Sequence, residues 1–165
     1  MSFKDIFQEE FSVVNNAHAR VNLIGEHTDY TGGYVLPSLL NFKTTIQISQ
    51  NNKKQYQVYS DNFNEQINFT DFVRSENIDW IDYVKGCLFV FYDENKHIPN
   101  THLNIFISSS IPMGRGISSS SALCVAILKT LNDFFKTQYS EKHIAILAQK
   151  VERNYIGVSG GIMDQ

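Results

Sequence analysis

Three groups of polar residues, far apart in the chain, have the types and spacing to do chemistry. The first is Arg20-Val21-Asn22-Leu23-Ile24-Gly25-Glu26-His27-Thr28-Asp29-Tyr30. Glu26, His27 and Asp29 share one glycine-bounded loop and can aim several donors and acceptors at a small polyhydroxylated molecule. The second is Pro112-Met113-Gly114-Arg115-Gly116-Ile117-Ser118-Ser119-Ser120-Ser121-Ala122. A glycine-rich turn that opens a helix offers free backbone N–H groups and the positive end of the helix dipole, which suits a phosphate. The serines add hydroxyl donors and can present an oxygen to a phosphate-bound Mg²⁺. The third group is Glu152 with Gly157, Gly160, Gly161, Met163 and Asp164. A carboxylate after two glycines can approach a ligand closely, and an aspartate can serve a reacting hydroxyl as base or electrostatic partner.

Phosphoryl transfer needs such parts together: an anion cradle, a ligand for Mg²⁺, a hydroxyl-orienting carboxylate and a cation. Arg20 can supply the cation, since its planar fork fits a carboxylate or a phosphate. Each group also has a plainer reading. The glycine/serine run lacks the Gly-Lys-Ser/Thr of a Walker loop and could be a capped strand-to-helix turn. The first loop could be ordinary solvated polarity; a metal there lacks a second His or Cys at zinc spacing. Asp164 alone could be a solvated charge.

The elements that must position these groups can be read from periodicity. Phe3, Ile6, Phe7 and Phe11 make a short helical stripe, and Ser12 to Asn16 is extended. Thr44 to Ser49 and Tyr56 to Ser60 alternate as strands, and Asn51-Asn52-Lys53-Lys54 between them predicts a hairpin turn. Gln66 to Phe69 adds a short strand. Trp80, Val84, Leu88 and Phe91 predict an amphipathic helix over 79–95, and a strand follows at 103–109. A helix is expected from Ala122 to Phe135, and another after an N-cap at Ser140, with Ile144, Leu147 and Val151 inward and Gly157 at its end. The fold class is α+β, one domain over 1–165, with antiparallel strands packed by helices.

Composition excludes several classes. The apolar fraction of 42% and charged fraction of 19% are those of a globular chain. The formal net charge of −3 gives no global pull toward nucleic acid or an anionic membrane, so anions must be met by local groups. Cys87 and Cys124 sit in apolar helical patterns and read as packed, reduced thiols. Met1-Ser2-Phe3-Lys4-Asp5 carries charges where a signal peptide needs its apolar core. No apolar run approaches the ~20 residues of a membrane span. The expected compartment is the cytoplasm.

The same residues carry a resemblance. Arg20 to Tyr30 closely resembles the galactokinase signature, and Pro112 to Ala122 is similar to the second motif of the GHMP kinase superfamily. Gly157 to Gln165 resembles the galactokinase active-site segment, and Trp80, Tyr83, Val84, Lys85 and Gly86 match a helix common in that family. The resemblance implies the GHMP-kinase N-terminal-domain fold, with ATP and Mg²⁺ as cofactors and the C1 hydroxyl of α-D-galactose as acceptor. It implies Asp164 as the catalytic aspartate and Arg20 as its partner. Glu26, His27, Asp29, Gly161 and Asp164 would meet galactose. Gly114, Arg115, Gly116, Ser118, Ser119, Ser120 and Ser121 would wrap the ATP phosphates, and Ser120 with Glu152 would ligate Mg²⁺.

Some positions depart from the family pattern. Ala17-His18-Ala19 stands where the family has a Pro-Gly pair, so His18 reads as a local substitution, and Arg115 stands where a small residue is usual. Family members are more than twice as long, so the C-terminal domain is expected to be absent, activity of the 165-residue chain to be weak or nil, and self-association to follow through an uncovered apolar face. An N-acetylgalactosamine-type kinase and a non-catalytic galactose or ATP sensor remain open as alternatives.

Overall fold

In the computed structural model the chain runs α1 (Phe3–Phe7), β1 (Val13–Asn22), a 3₁₀ turn (Asp29–Thr31), β2 (Pro37–Gln50), β3 (Tyr56–Ser60), β4 (Glu65–Phe69), α2 (Trp80–Glu94), β5 (Leu103–Ser109), α3 (Ser119–Phe135), α4 (Glu141–Lys150) and a π-helical turn (Val151–Ile156). The structure describes residues 1–25, 28–112 and 116–165, with Tyr30 described by its backbone only. The expectations placed on Glu26, His27, Gly114 and Arg115 therefore lie outside the described residues.

The strands form one mixed sheet in the order β1-β2-β5-β3-β4, in which only the β3–β5 pair is parallel. A central strand is covered on both faces and should read as a continuous apolar run. Leu103-Asn104-Ile105-Phe106-Ile107 of β5 is buried throughout. That position overturns the predicted hairpin: β5 lies between β2 and β3, so the two never pair. Asn51, from the connection, reaches across to β5, its Nδ2 donating to Asn104 Oδ1 at 2.9 Å. A side-chain bridge, not a tight turn, fixes that connection.

One face of the sheet carries the main core. Ile46, Ile48, Val58, Ile105 and Ile107 pack against Val84, Leu88 and Phe91 of α2, Cys124, Ile127 and Leu131 of α3, and Leu147 of α4. Cys87 and Cys124 are free and fully buried in this layer, and a hydrogen bond between the thiols together with burial pushes the Cys124 thiol well up. On the opposite face α1 seals a smaller cluster, Phe3 with Tyr59 and Phe106. Glu9 fixes that corner by accepting from Asn104 Nδ2 at 2.7 Å and from Ser49 Oγ.

Three elements run longer than periodicity suggests. β2 starts at Pro37, well before the expected Thr44, and so pairs with β1 as far as Asn22. β1 continues through Arg20 to Asn22, with a register shift between His18 and Arg20. Such a bulge re-aims the side chain beside it. The residue within it, Ala19, is fully buried against Ile111 and Ala122. α3 begins at Ser119, three residues before the expected Ala122. The first-turn N–H groups of a helix have no intrahelical acceptor, so residues with side-chain oxygens such as serine suit that region. Among the described residues, no helix is long and apolar enough to cross a membrane.

Candidate active site

The three polar groups meet around Asp164. The Arg20 Nη2 forms an ion pair with Asp164 Oδ1, and Ser118 Oγ donates to Oδ2 at 2.9 Å. Arg20 is brought there by the end of β1, Ser118 by the entry to α3, and Asp164 by the segment that follows Gly157. The Arg20 side chain is only 13% exposed, and its buried Nε has no partner among the described residues. Burial lowers the Arg20 guanidinium from its ordinary value, and the nearby charge of Asp29 works the other way. An aspartate whose two oxygens both accept hydrogen bonds is better suited to orienting a hydroxyl than to removing its proton outright.

Asp29 holds the segment before Asp164. Its Oδ2 accepts from Met163 N–H at 3.2 Å, and its carboxylate lies so close to Gly161 that a Cβ there would overlap it. Gly161 is thus required by a close approach. Neighbouring Gly160 faces open space.

Glu152 enters from the π-helical turn. That turn closes at Gly157, in the left-handed region (φ 92°), and the N–H groups of Gly157 and Val158 both donate to the Glu152 carbonyl, at 2.9 and 2.8 Å. Single π turns inside helices are frequent at functional sites. The Glu152 carboxylate is nearly buried and accepts from Ser121 Oγ at 2.9 Å through Oε2, which also accepts from Gln165 Nε2. Gln165 Nε2 further donates to Ser121 Oγ at 3.1 Å, while Gln165 Oε1 is buried and has no partner among the described residues. So it is Ser121, not Ser120, that bonds Glu152. Ser120 keeps its place in the lining of a cavity of about 330 Å³ together with Arg20, Asp29, Glu152, Gly161 and Asp164.

Ser120 and Ser119 also line a second cavity, of about 410 Å³, walled by Phe63, Ile78, Trp80, Tyr83 and Leu123. Phe63 and Trp80 stack there with ring centroids 5.7 Å apart. Sequence reasoning missed this cleft, having read Trp80 as part of a helical stripe and of a family-like helix and not as a cleft wall. The available signal was the chain's single tryptophan, placed at the start of α2. A third cavity, about 360 Å³, lies on the other side of Asp164 and is lined by His18, Arg20, Lys129, Glu141 and Gln165, among others. His18 itself bonds the Leu40 carbonyl through Nδ1 at 2.9 Å, in keeping with a local role.

The serine run has one more property. α1, α2 and α4 each start with a side-chain cap, from Ser2, Asp79 and Ser140. The 17-residue α3 has Ser118 at its N-cap position but no side-chain cap. The first N–H groups of a helix have no intrahelical acceptor and lie at the positive end of its dipole, and among the described residues no N-cap side chain meets those of α3.

Comparison with known proteins gives the class of this domain: the chain belongs to the GHMP kinases, whose N-terminal-domain family model matches residues 82–165. A second family model, the galactokinase galactose-binding signature, matches residues 1–50. The particular relatives are galactokinases. That of Pyrococcus furiosus is 42% identical over 88% of this chain and 40% of its own length, and that of Clostridium acetobutylicum 38% identical over 99% and 43%. The crystal structure of Lactococcus lactis galactokinase complexed with galactose superposes with a TM-score of 0.89 at 32% identity, covering 98% of this chain and 43% of that one. A mevalonate kinase structure matches with a TM-score of 0.82 at 23% identity, which shows the shared fold alone. The chain spans about two fifths of the length of the curated relatives it matches.

Proposed function

We propose that residues 1–165 form the N-terminal domain of a kinase that transfers the γ-phosphoryl group of ATP to the C1 hydroxyl of α-D-galactose. The observation that carries this reading is that Ser120 lines both the aromatic cleft and the cavity holding Arg20, Glu152 and Asp164. The aromatic cleft suits a purine, the first N–H groups of α3 suit phosphates, and the polar cavity suits a sugar hydroxyl. A nucleotide lying across Ser119 and Ser120 therefore brings its terminal phosphate toward Asp164. Gly116 and Ser119 to Ser121, with Gly114 and Arg115, are the phosphate-binding set.

In this reading Asp164 orients the acceptor hydroxyl, and Arg20 keeps Asp164 ionised and offsets charge on the transferring group. Asp29 and Gly161, with Glu26 and His27, face the sugar. Catalysis then rests on positioning and charge neutralisation more than on strong proton abstraction.

Mg²⁺ fits the residues present. Glu152, the Ser120 and Ser121 hydroxyls and the orphaned Gln165 Oε1 offer oxygen ligands, although Gln165 Nε2 bonds the Glu152 carboxylate. Among the described residues no group of three His, Cys, Asp or Glu could hold a metal by itself. One or two protein ligands plus substrate phosphates is the usual manner for Mg²⁺. Glu152 and Ser120 would hold it, and bound there it would neutralise phosphate charge.

The test is galactose-dependent ADP release by the chain with ATP and Mg²⁺. It should be weak and disappear in Asp164→Ala; ADP release equal to the blank under excess substrates would sink the reading of this chain as active by itself, and failure to bind both galactose and ATP would sink the domain reading. Galactose binding without turnover would support a second reading, a binding-only domain. Self-association belongs to the same proposal. Leu23, Ile24, Leu36 and Leu39 lie exposed on the β1–β2 side, and sedimentation velocity should show concentration-dependent dimers. The cytoplasm is the proposed compartment.

A further inference from the structure

We propose that Ser118 is a positioning residue for Asp164, not a phosphate ligand. A serine at a helix N-cap ordinarily has extended backbone, and its oxygen accepts from an N–H in the first turn. Ser2 and Ser140 of this chain do so, accepting from Asp5 N–H and His143 N–H at 3.2 Å. Ser118 does neither. Its backbone is left-handed (φ 57°, ψ 43°), its side chain makes no cap bond, and its hydroxyl points away from the helix to donate to Asp164 Oδ2 at 2.9 Å.

A non-glycine residue in the left-handed region is disfavoured, and a forgone cap loses stability as well. Both costs fall on one residue, and both follow from a single contact. Arg20 holds Oδ1 of the same carboxylate, so the pair fixes Asp164 by two donors from two different elements. With both oxygens held, rotation of the carboxylate is suppressed, and the direction in which it can meet an acceptor hydroxyl is set before any ligand arrives. The proposal rests on the reading of Asp164 as the residue that faces that hydroxyl.

The experiment is a ¹³C NMR titration of the Asp164 carboxyl in the 165-residue chain, with the resonance assigned by its loss in Asp164→Asn. Ser118→Ala and Ser118→Gly are compared with wild type. Glycine suits the left-handed backbone better than serine, so the second variant folds even if the first does not. Removing a donor to the charged form should raise the Asp164 midpoint in both variants alike. A midpoint that stays at the wild-type position in Ser118→Gly overturns the proposal. Galactose binding to the same wild-type sample tests the parent reading separately. If galactose fails to bind while the midpoint still rises, the kinase reading falls and the clamp stands.

Discussion

Replacing Gly161 by alanine adds one methyl group where the Asp29 carboxylate already lies. Either Asp29 or the 161–164 backbone must move, and either movement weakens the bond from Met163 N–H to Asp29. Overpacking costs about 1–3 kcal/mol, and a hydrogen bond to a carboxylate is worth about 1.5 kcal/mol, less here because the contact is only part-buried. Stiffening of the unfolded chain offsets about 0.5 kcal/mol. The net is a local destabilisation of about 2–3 kcal/mol. Gly160→Ala is the internal control, since its methyl meets nothing within 4 Å and only the small gain remains. Amide hydrogen exchange at Met163 reads the difference directly. The Gly161 variant should exchange about 30- to 150-fold faster, or reach the unprotected rate first, whereas the Gly160 variant should not change. In an Asp29→Ala background most of the Gly161→Ala penalty should vanish. Equal exchange in the two alanine variants would show that Asp29 is not what demands glycine at 161.

Three further outcomes are expected. The single tryptophan, Trp80, lines the aromatic cleft, so Mg²⁺ with a non-hydrolysable ATP analogue should change its fluorescence and galactose should not; Phe63→Ala should weaken the analogue by about tenfold, as loss of one base-stacking ring does. Glu152→Ala should weaken that analogue at least about tenfold in calorimetry with Mg²⁺ present and leave its metal-free binding nearly unchanged. The Tyr155 hydroxyl, which donates to the Phe72 carbonyl, is pushed up to about 12, first by burial. Between about pH 10 and 12 the unfolded tyrosine has lost a proton that the folded one keeps, so stability should fall as pH rises through that window. Melting curves should fall less steeply over it in Tyr155→Phe.

Much of the fold was legible because its signals are local. The stripe of Trp80, Val84, Leu88 and Phe91 and the apolar run of β5 each specify their own element, and both stand where periodicity put them. Strand order was not local. Asn51 to Lys54 looks like a hairpin turn only until β5, some fifty residues later, takes the place between the strands. The polar groups could be picked out as candidates because phosphate, hydroxyl and carboxylate chemistry each demand few residue types. Their partners were not, since nothing in the spacing says that Ser121 bonds Glu152 or that Ser118 bonds Asp164. The aromatic cleft escaped because Phe63 and Trp80 come from a loop and a helix start whose meeting depends on the β3–β4 and α2 packing.

The contacts that assemble the site span the chain: Arg20 to Asp164 across 144 residues, and Asp29 to Met163 across 134. Closing such loops costs chain entropy that is recovered only once the sheet and α3 exist to hold both ends. The segment from Gly157 to Gln165 contains no strand and no helix of its own, so it orders last and is released first. On warming, the contacts around Asp164 are therefore lost before the sheet melts, and the melting of this segment lies below that of the fold.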